Sequence, residues 1–287
     1  MKIRELLFAV TLCALMRPPA EARPLLTEEV PTVGKKSFEV IVSLSQRDDA
    51  FGTPKTNYRT VTFPVSARIG VHRAVDIGFY LNYIKHRIEA TNSHFTGSQN
   101  GRFSPFVKVS PWKNLGFQAI WHTQSPEQGA QSLPIARGRD IETLMMLKLP
   151  VDWPVTFNVG YVFRREYRSK LGVSNGPSYR VQPGDIFESK GAIEIPLKFH
   201  LSILGELAYY TSRQNRIEGI PVAGTSAEAM DALIGMTWNF RGWNIGAGAA
   251  FGLLDEQHTS FDLERGAGDT LYKATVAYRL VPRAGKQ

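Results

Sequence analysis

The sequence predicts an all-β fold, a single antiparallel transmembrane β-barrel of about 12 strands with short periplasmic turns and long extracellular loops. Three observations carry that expectation. Apolar and polar residues alternate with period two in segments of about ten residues, the length a tilted strand needs to cross hydrocarbon. The connections alternate between short and long. Aromatic residues gather where the segments end.

The chain begins with a segment that reads as a secretory leader, residues 1–22. Lys2 and Arg4 are its basic start, Leu6 to Met16 its apolar run, Pro18 and Pro19 its break, and Ala20-Glu21-Ala22 a small-x-small cleavage site. The run is shorter than the roughly 20 residues of a spanning helix. Cleavage is expected after Ala22, so that the mature chain starts at Arg23. The single cysteine, Cys13, lies in the leader, and the bulky Leu12 before it argues against lipidation. Residues 23–35 are expected to form a periplasmic N-terminal segment, 36–280 the barrel, and 281–287 a C-terminal tail.

The first strand expected is Lys36–Arg47, with Phe38, Val40, Val42 and Leu44 on one face and Glu39, Ser43 and Ser45 on the other. Tyr58–Ile69 and Val75–Lys85 follow with the same alternation. Then come Arg102–Ser110, Leu115–His122, Asp140–Leu149, Val155–Arg164, Phe187–Leu197, Leu201–Tyr210, Ala229–Phe240, Trp243–Leu254 and Asp269–Leu280. The last is the cleanest: Tyr272, Ala274, Val276, Tyr278 and Leu280 oppose Lys273, Thr275, Ala277 and Arg279.

Gly70–Ala74, Pro111–Asn114, Pro150–Pro154, Lys198–His200 and Arg241–Gly242 read as short turns. Asp48–Asn57, His86–Gly101, Thr123–Arg139, Arg165–Ile186, Thr211–Glu228 and Asp255–Gly268 read as long polar loops. Alternation alone also fits a soluble barrel with an apolar interior. Two aromatic sets favour the membrane form. Trp112, Trp153, Phe199, Phe240 and Trp243 sit at short turns; Tyr58, Tyr83, Trp121, Phe163, Tyr209 and Tyr272 sit towards long loops. The polar face, moreover, is too charged for a ligand cavity and too apolar at a few points for bulk solvent. Pro64, Pro105 and Pro196 fall inside strands, where each is expected at a bulge or facing the lumen.

The period-2 register places Arg68, Lys108, Lys148, Arg164, Lys190, Lys273 and Arg279 on the inner face with Glu39, Asp76, Glu142, Glu194, Glu206 and Asp231. These charges are the candidate permeation residues, since charged rings set selectivity in pores. The alternative is that they pair across the lumen and close it. Arg68, Lys108, Lys148 and Arg279 gather towards the periplasmic rim, which suggests a weak anion preference. The net charge of +8 comes from scattered residues and does not suggest a nucleic-acid partner.

Residues 23–39, from Arg23-Pro24-Leu25-Leu26-Thr27-Glu28-Glu29 through Thr32-Val33-Gly34 to Phe38-Glu39, resemble the start of a bacterial family named for the meta-pathway of phenol degradation. Phe63-Pro64-Val65, Ala67-Arg68-Ile69-Gly70-Val71 and Val75-Asp76-Ile77-Gly78 extend the resemblance through the first third of the chain. Lys36 stands where many relatives have Gly. The resemblance implies an outer-membrane barrel with a transport function, linked to aromatic degradation, and carries over no catalytic residue.

No constellation points to chemistry. None of the six histidines (His72, His86, His94, His122, His200 and His258) forms a close metal-ligand pair, and each is expected to be solvated. Ser174-Asn175-Gly176 resembles part of a barrel-hydrolase signature, but Gly172 stands where the His base should be. His122-Thr123-Gln124-Ser125 has the wrong order. Gly246, Gly248 and Gly252 fall on one strand face, where they thin the lumen wall rather than cradle phosphate. The expectation is a non-enzyme without cofactor or metal, in the outer membrane of a bacterial cell, passing small molecules passively, aromatic acids among them. Its partners are outer-membrane lipid, a small-molecule solute and the barrel-assembly machinery. A structural or adhesive barrel with a closed lumen is the first alternative, and a barrel-type lipid hydrolase the second.

Overall fold

Each alternating segment becomes a strand. The structure is a computed structural model that describes residues 25–51, 56–90, 93–123, 139–149, 151, 153–169, 177–256 and 270–281. Its strands are β1 (Phe38–Phe51), β2 (Thr56–His72), β3 (Val75–Ala90), β4 (Ser93–Trp112), β5 (Leu115–His122), β6 (Asp140–Leu149), β7 (Val155–Phe163), β8 (Tyr167–Ser169), β9 (Tyr179–Gln182), β10 (Ile186–Pro196), β11 (Leu201–Ser212), β12 (Arg216–Ile217), β13 (Ile220–Pro221), β14 (Ala227–Phe240), β15 (Trp243–Glu256) and β16 (Thr270–Leu280). Twelve of them close an antiparallel barrel in the order β1-β16-β15-β14-β11-β10-β7-β6-β5-β4-β3-β2. Closure is made by β1 against β16, from Phe38↔Leu280 to Asp48↔Thr270. The expected leader with its cleavage site at Ala22, and residues 282–287, lie outside the described residues.

The apolar face points outward. On β16, Tyr272, Val276, Tyr278 and Leu280 are exposed while Thr275 and Ala277 between them are buried. Trp112, Trp153, Phe199, Phe240 and Trp243 are exposed at the short-turn end, and Tyr83, Trp121, Phe163 and Tyr272 towards the other. An outer surface of Ile, Leu, Val and Phe between two aromatic sets needs hydrocarbon, not water, around it. At the short-turn end the chain reverses tightly. Arg241 and Gly242 take φ of 47° and 90°, the two-residue turn whose twist matches the flanking strands.

Two loop expectations change. Asp48–Asn57 and His86–Gly101 are largely strand, because β1 to β4 run on past their apolar stretch. Backbone pairing extends a hairpin wherever its neighbours continue, so the end of the apolar pattern marks the hydrocarbon boundary and not the strand end. Arg165–Ile186 and Thr211–Glu228 contribute β8, β9, β12 and β13, a separate small sheet ordered β13-β12-β9-β8.

Pro64 faces the lumen, and the ladder to β1 is interrupted beside it: pairing passes from Val42↔Val65 to Ser45↔Thr62 without a change of register. The missing N–H thus costs a gap rather than a bulge. Residues 23–35, expected outside in the periplasm, are corrected too. The described part, from Leu25 onward, turns back from the rim into the lumen.

Candidate functional site

Residues 25–33 form a strap across the inside of the barrel. It enters at the rim, where Lys36 N–H donates to Gly70 O and Gly70 N–H to Ser37 O. A Cβ on Gly70 would stand 1.8 Å from Gly34 O, so only glycine permits this approach. Lys36 holds φ of 64°, a left-handed conformation that costs a non-glycine residue about 1 kcal/mol.

From there the strap is tied to one wall by charge. Val33 N–H donates to Asp76 Oδ2 at 2.9 Å. The Glu29 carboxylate bridges Arg68 and Arg279, each at 3.2 Å. The same two guanidinium groups grip Glu39, at 2.6 Å and 2.8 Å, and Arg68 lies 3.8 Å from Asp76. Lys108, 1% exposed, donates to Glu29 O, and Ser110 Oγ donates to Val30 O at 2.6 Å. Tyr80 OH donates to the Glu28 carboxylate at 3.3 Å, and the Asn158 amide, oriented to satisfy both its ends, pairs with the Glu28 backbone.

The far end docks on the opposite wall. Three successive amides, of Leu25, Leu26 and Thr27, converge on the Glu206 carboxylate at 2.5 to 2.8 Å, and Lys273 donates to Leu25 O. Leu25 packs with Leu204, Leu233 and Ala250, Leu26 beside Ala208, Tyr210 and Ala229, and Val30 with Leu144 and Met146. These inward apolar residues are the points at which the inner face reads as too apolar for water. Gly235, Gly246 and Gly248 make room: a Cβ on any of them would come within about 3 Å of a Leu25 methyl, 2.9 to 3.0 Å as built. The wall is thinned there for the strap's side chain. In the ring, β3 and β11 are diametrically opposite, so the path from Asp76 to Glu206 spans the lumen.

All thirteen charged candidates, Arg68, Lys108, Lys148, Arg164, Lys190, Lys273, Arg279, Glu39, Asp76, Glu142, Glu194, Glu206 and Asp231, lie at inward positions of their strands or strand ends. Their grouping differs from the expected basic rim. Arg68, Arg279 and Lys108 are engaged by Glu29, Glu39 and the strap backbone, so the rim offers a permeating anion little positive charge. Glu194 accepts from Ser202 Oγ at 2.8 Å. Sequence reasoning missed Glu29, Arg47, Asn158 and Glu188. Glu188 was legible, two residues before Lys190 on the same face; Glu29 precedes every strand, and only the excess of basic residues at the rim hinted at a carboxylate from elsewhere.

Above the strap is a cavity of about 290 Å³. On its wall, His122 is not solvated as expected: Nδ1 lies 3.0 Å from Ser104 Oγ and Nε2 3.1 Å from Glu142 Oε2. A Ser–His–Glu chain has the connectivity of an acyl-transfer triad. The three side chains come from adjacent strands and form a hydrogen-bond ladder across β4, β5 and β6.

No family model and no curated protein matches the sequence. Solved structures do. An outer-membrane channel from Pseudomonas putida F1 superimposes with a TM-score of 0.68 at 9% identity, over 90% of this chain and 100% of that one. The translocator domain of the autotransporter NalP from Neisseria meningitidis gives 0.50 at 14% identity, over 96% and 94%. The chain has the fold of outer-membrane β-barrels.

Proposed function

We propose that this barrel sits in the bacterial outer membrane and passes small molecules through its lumen passively, with the strap setting the width of the path. The observation that carries the reading is the combination of an apolar outer face with a charged, cavity-bearing interior crossed by a strap that runs on into β1. A barrel meant solely as a scaffold could fill its interior from the wall. Here the wall is cut back at Gly235, Gly246 and Gly248 to receive a separate segment. For the solute we favour a small carboxylic acid, aromatic acids included. Arg47, Lys190 and Lys273 line the cavity together with the apolar Ile41, Leu144 and Leu271. A structural barrel with a closed lumen is the second reading, favoured by the way Glu29, Glu39 and the strap backbone engage Arg68, Arg279 and Lys108.

Single-channel recording of the full-length protein in planar bilayers separates the two. Discrete conductance steps are expected. A silent bilayer with correctly folded barrel would favour the structural reading.

A further inference from the structure

We propose that the small sheet β13-β12-β9-β8 is a docking site for the phosphate groups of an anionic glycolipid of the outer leaflet, of the lipid A type. The proposal rests on the outer-membrane placement and not on passage through the lumen.

The two faces of the sheet follow from its register. Tyr167, Val181, Ile217 and Ile220 pair in one row across all four strands. Val181 is buried and Tyr167 and Ile217 are half-buried, so this side packs down and leaves Ile220 open at the edge. Directly paired residues share a face, and so does every second residue along a strand. Arg168 pairs with Arg180, and Arg216 with Gln182, two residues along from Arg180. Arg168, Arg180 and Arg216 therefore stand together on the other face, and all three are exposed.

Two arginines directly opposite each other repel, and this sheet keeps them so. Glu166 and Glu218 reach the group, at 3.9 and 3.7 Å, and both lie on Arg180. Among the described residues Arg168 and Arg216 have no carboxylate partner. A phosphate between Arg168 and Arg180 accepts from both guanidinium forks and turns the repulsion into attraction. Arg216, diagonal to Arg180 at about 7–8 Å across the sheet, adds a third fork.

The place of the sheet identifies the source of the phosphate. β8, β9 and β12 each join a wall strand through three residues, 164–166, 183–185 and 213–215. Phe163, at the end of β7, is exposed on the apolar outer face. Four residue steps, at most about 14 Å of chain, separate it from Tyr167. The joints are tied together: Arg164 N–H donates to Asp185 Oδ1 at 2.9 Å, Gly184 N–H to Asn215 Oδ1 at 2.8 Å, and Arg213 N–H to Asp185 O at 3.0 Å. The arginines are thus held close to the headgroup layer on the long-loop side. Exposed arginines bind a free phosphate weakly, whereas lipid-borne phosphates stay at high local concentration beside them.

Native mass spectrometry of the full-length protein folded in detergent tests this, with diphosphoryl lipid A as the probe and phosphatidylcholine as the zwitterionic control. Preferential retention of diphosphoryl lipid A is expected. Arg168→Gln combined with Arg216→Gln should weaken it by about ten-fold or more, and Glu166→Gln, which leaves all three arginines in place, should tighten it by about three-fold. Heat-modifiable migration on gels checks that each variant keeps its barrel. Equal retention of the two lipids, unchanged lipid A binding in the double variant, or no gain in Glu166→Gln overturns the site and leaves the channel reading standing. Displacement of the lipid by an equal concentration of inorganic pyrophosphate overturns the lipid as the source of the phosphate.

Discussion

Glu206→Leu is expected to release the inner end of the strap and raise the conductance of the barrel. The Glu206 carboxylate accepts from three consecutive strap amides, and it is buried beside Leu25. Hydrogen bonds to a charged acceptor contribute about 1.5–3 kcal/mol each in favourable cases, and they are not additive. Leucine keeps the volume and removes every acceptor. A loss of about 3 kcal/mol would shift the ratio of undocked to docked strap by about a hundred-fold. Glu206→Gln, which retains one oxygen, should lie between. The readout is open probability at fixed voltage. An unchanged trace in Glu206→Leu would mean that the docking end does not control the path.

Arg68→Met should be the most damaging single change in the lumen. Arg68 is 4% exposed and lies among Glu29, Glu39 and Asp76, at 3.2, 2.6 and 3.8 Å. Removing one partner of a buried pair leaves uncompensated charge and costs about 3–5 kcal/mol. Here three carboxylates are left facing one another, with Arg279 and Lys108 as the nearby cations. The expected result is a lower urea midpoint for unfolding from lipid vesicles, partly recovered by adding Glu29→Gln, which removes one of the carboxylates. A double variant no more stable than Arg68→Met alone would show that Glu29 is not coupled to Arg68.

The barrel itself was legible because its two constraints are written locally. Period two decides which side chain meets lipid, and Val276 with Tyr278 against Lys273 with Arg279 shows it within a single strand. Turn chemistry at Arg241-Gly242 and the girdle positions of Trp112 and Trp243 add a scale. The strap was not legible, since it has no periodicity of its own. Residues 25–33 make no ladder, and their partners are up to 250 residues away, as in Arg279 with Glu29. Only indirect signs existed: inward-facing Leu204 and Leu233, which no water-filled lumen calls for, and the small residues Gly246 and Gly248 on the same face. His122 was misread for a related reason. Its partners Ser104 and Glu142 come from the two flanking strands, and cross-strand neighbours depend on register, which the sequence alone leaves open.

The central claim is that the strap governs passage through the lumen, and a reversible staple tests it most directly. In a Cys13→Ser background the chain has no cysteine, so Leu25→Cys with Gly246→Cys supplies a single pair. The two positions are in contact, since a Cβ built on Gly246 stands 3.0 Å from a Leu25 methyl carbon, and formation of the bond is checked by loss of free thiol before recording. Single-channel conductance is then recorded before and after a reductant is added on the periplasmic side. The account predicts that oxidised channels stay at their lowest conductance and that reduction brings back larger openings, as seen without the added cysteines. Identical conductance in the oxidised and reduced states would contradict it.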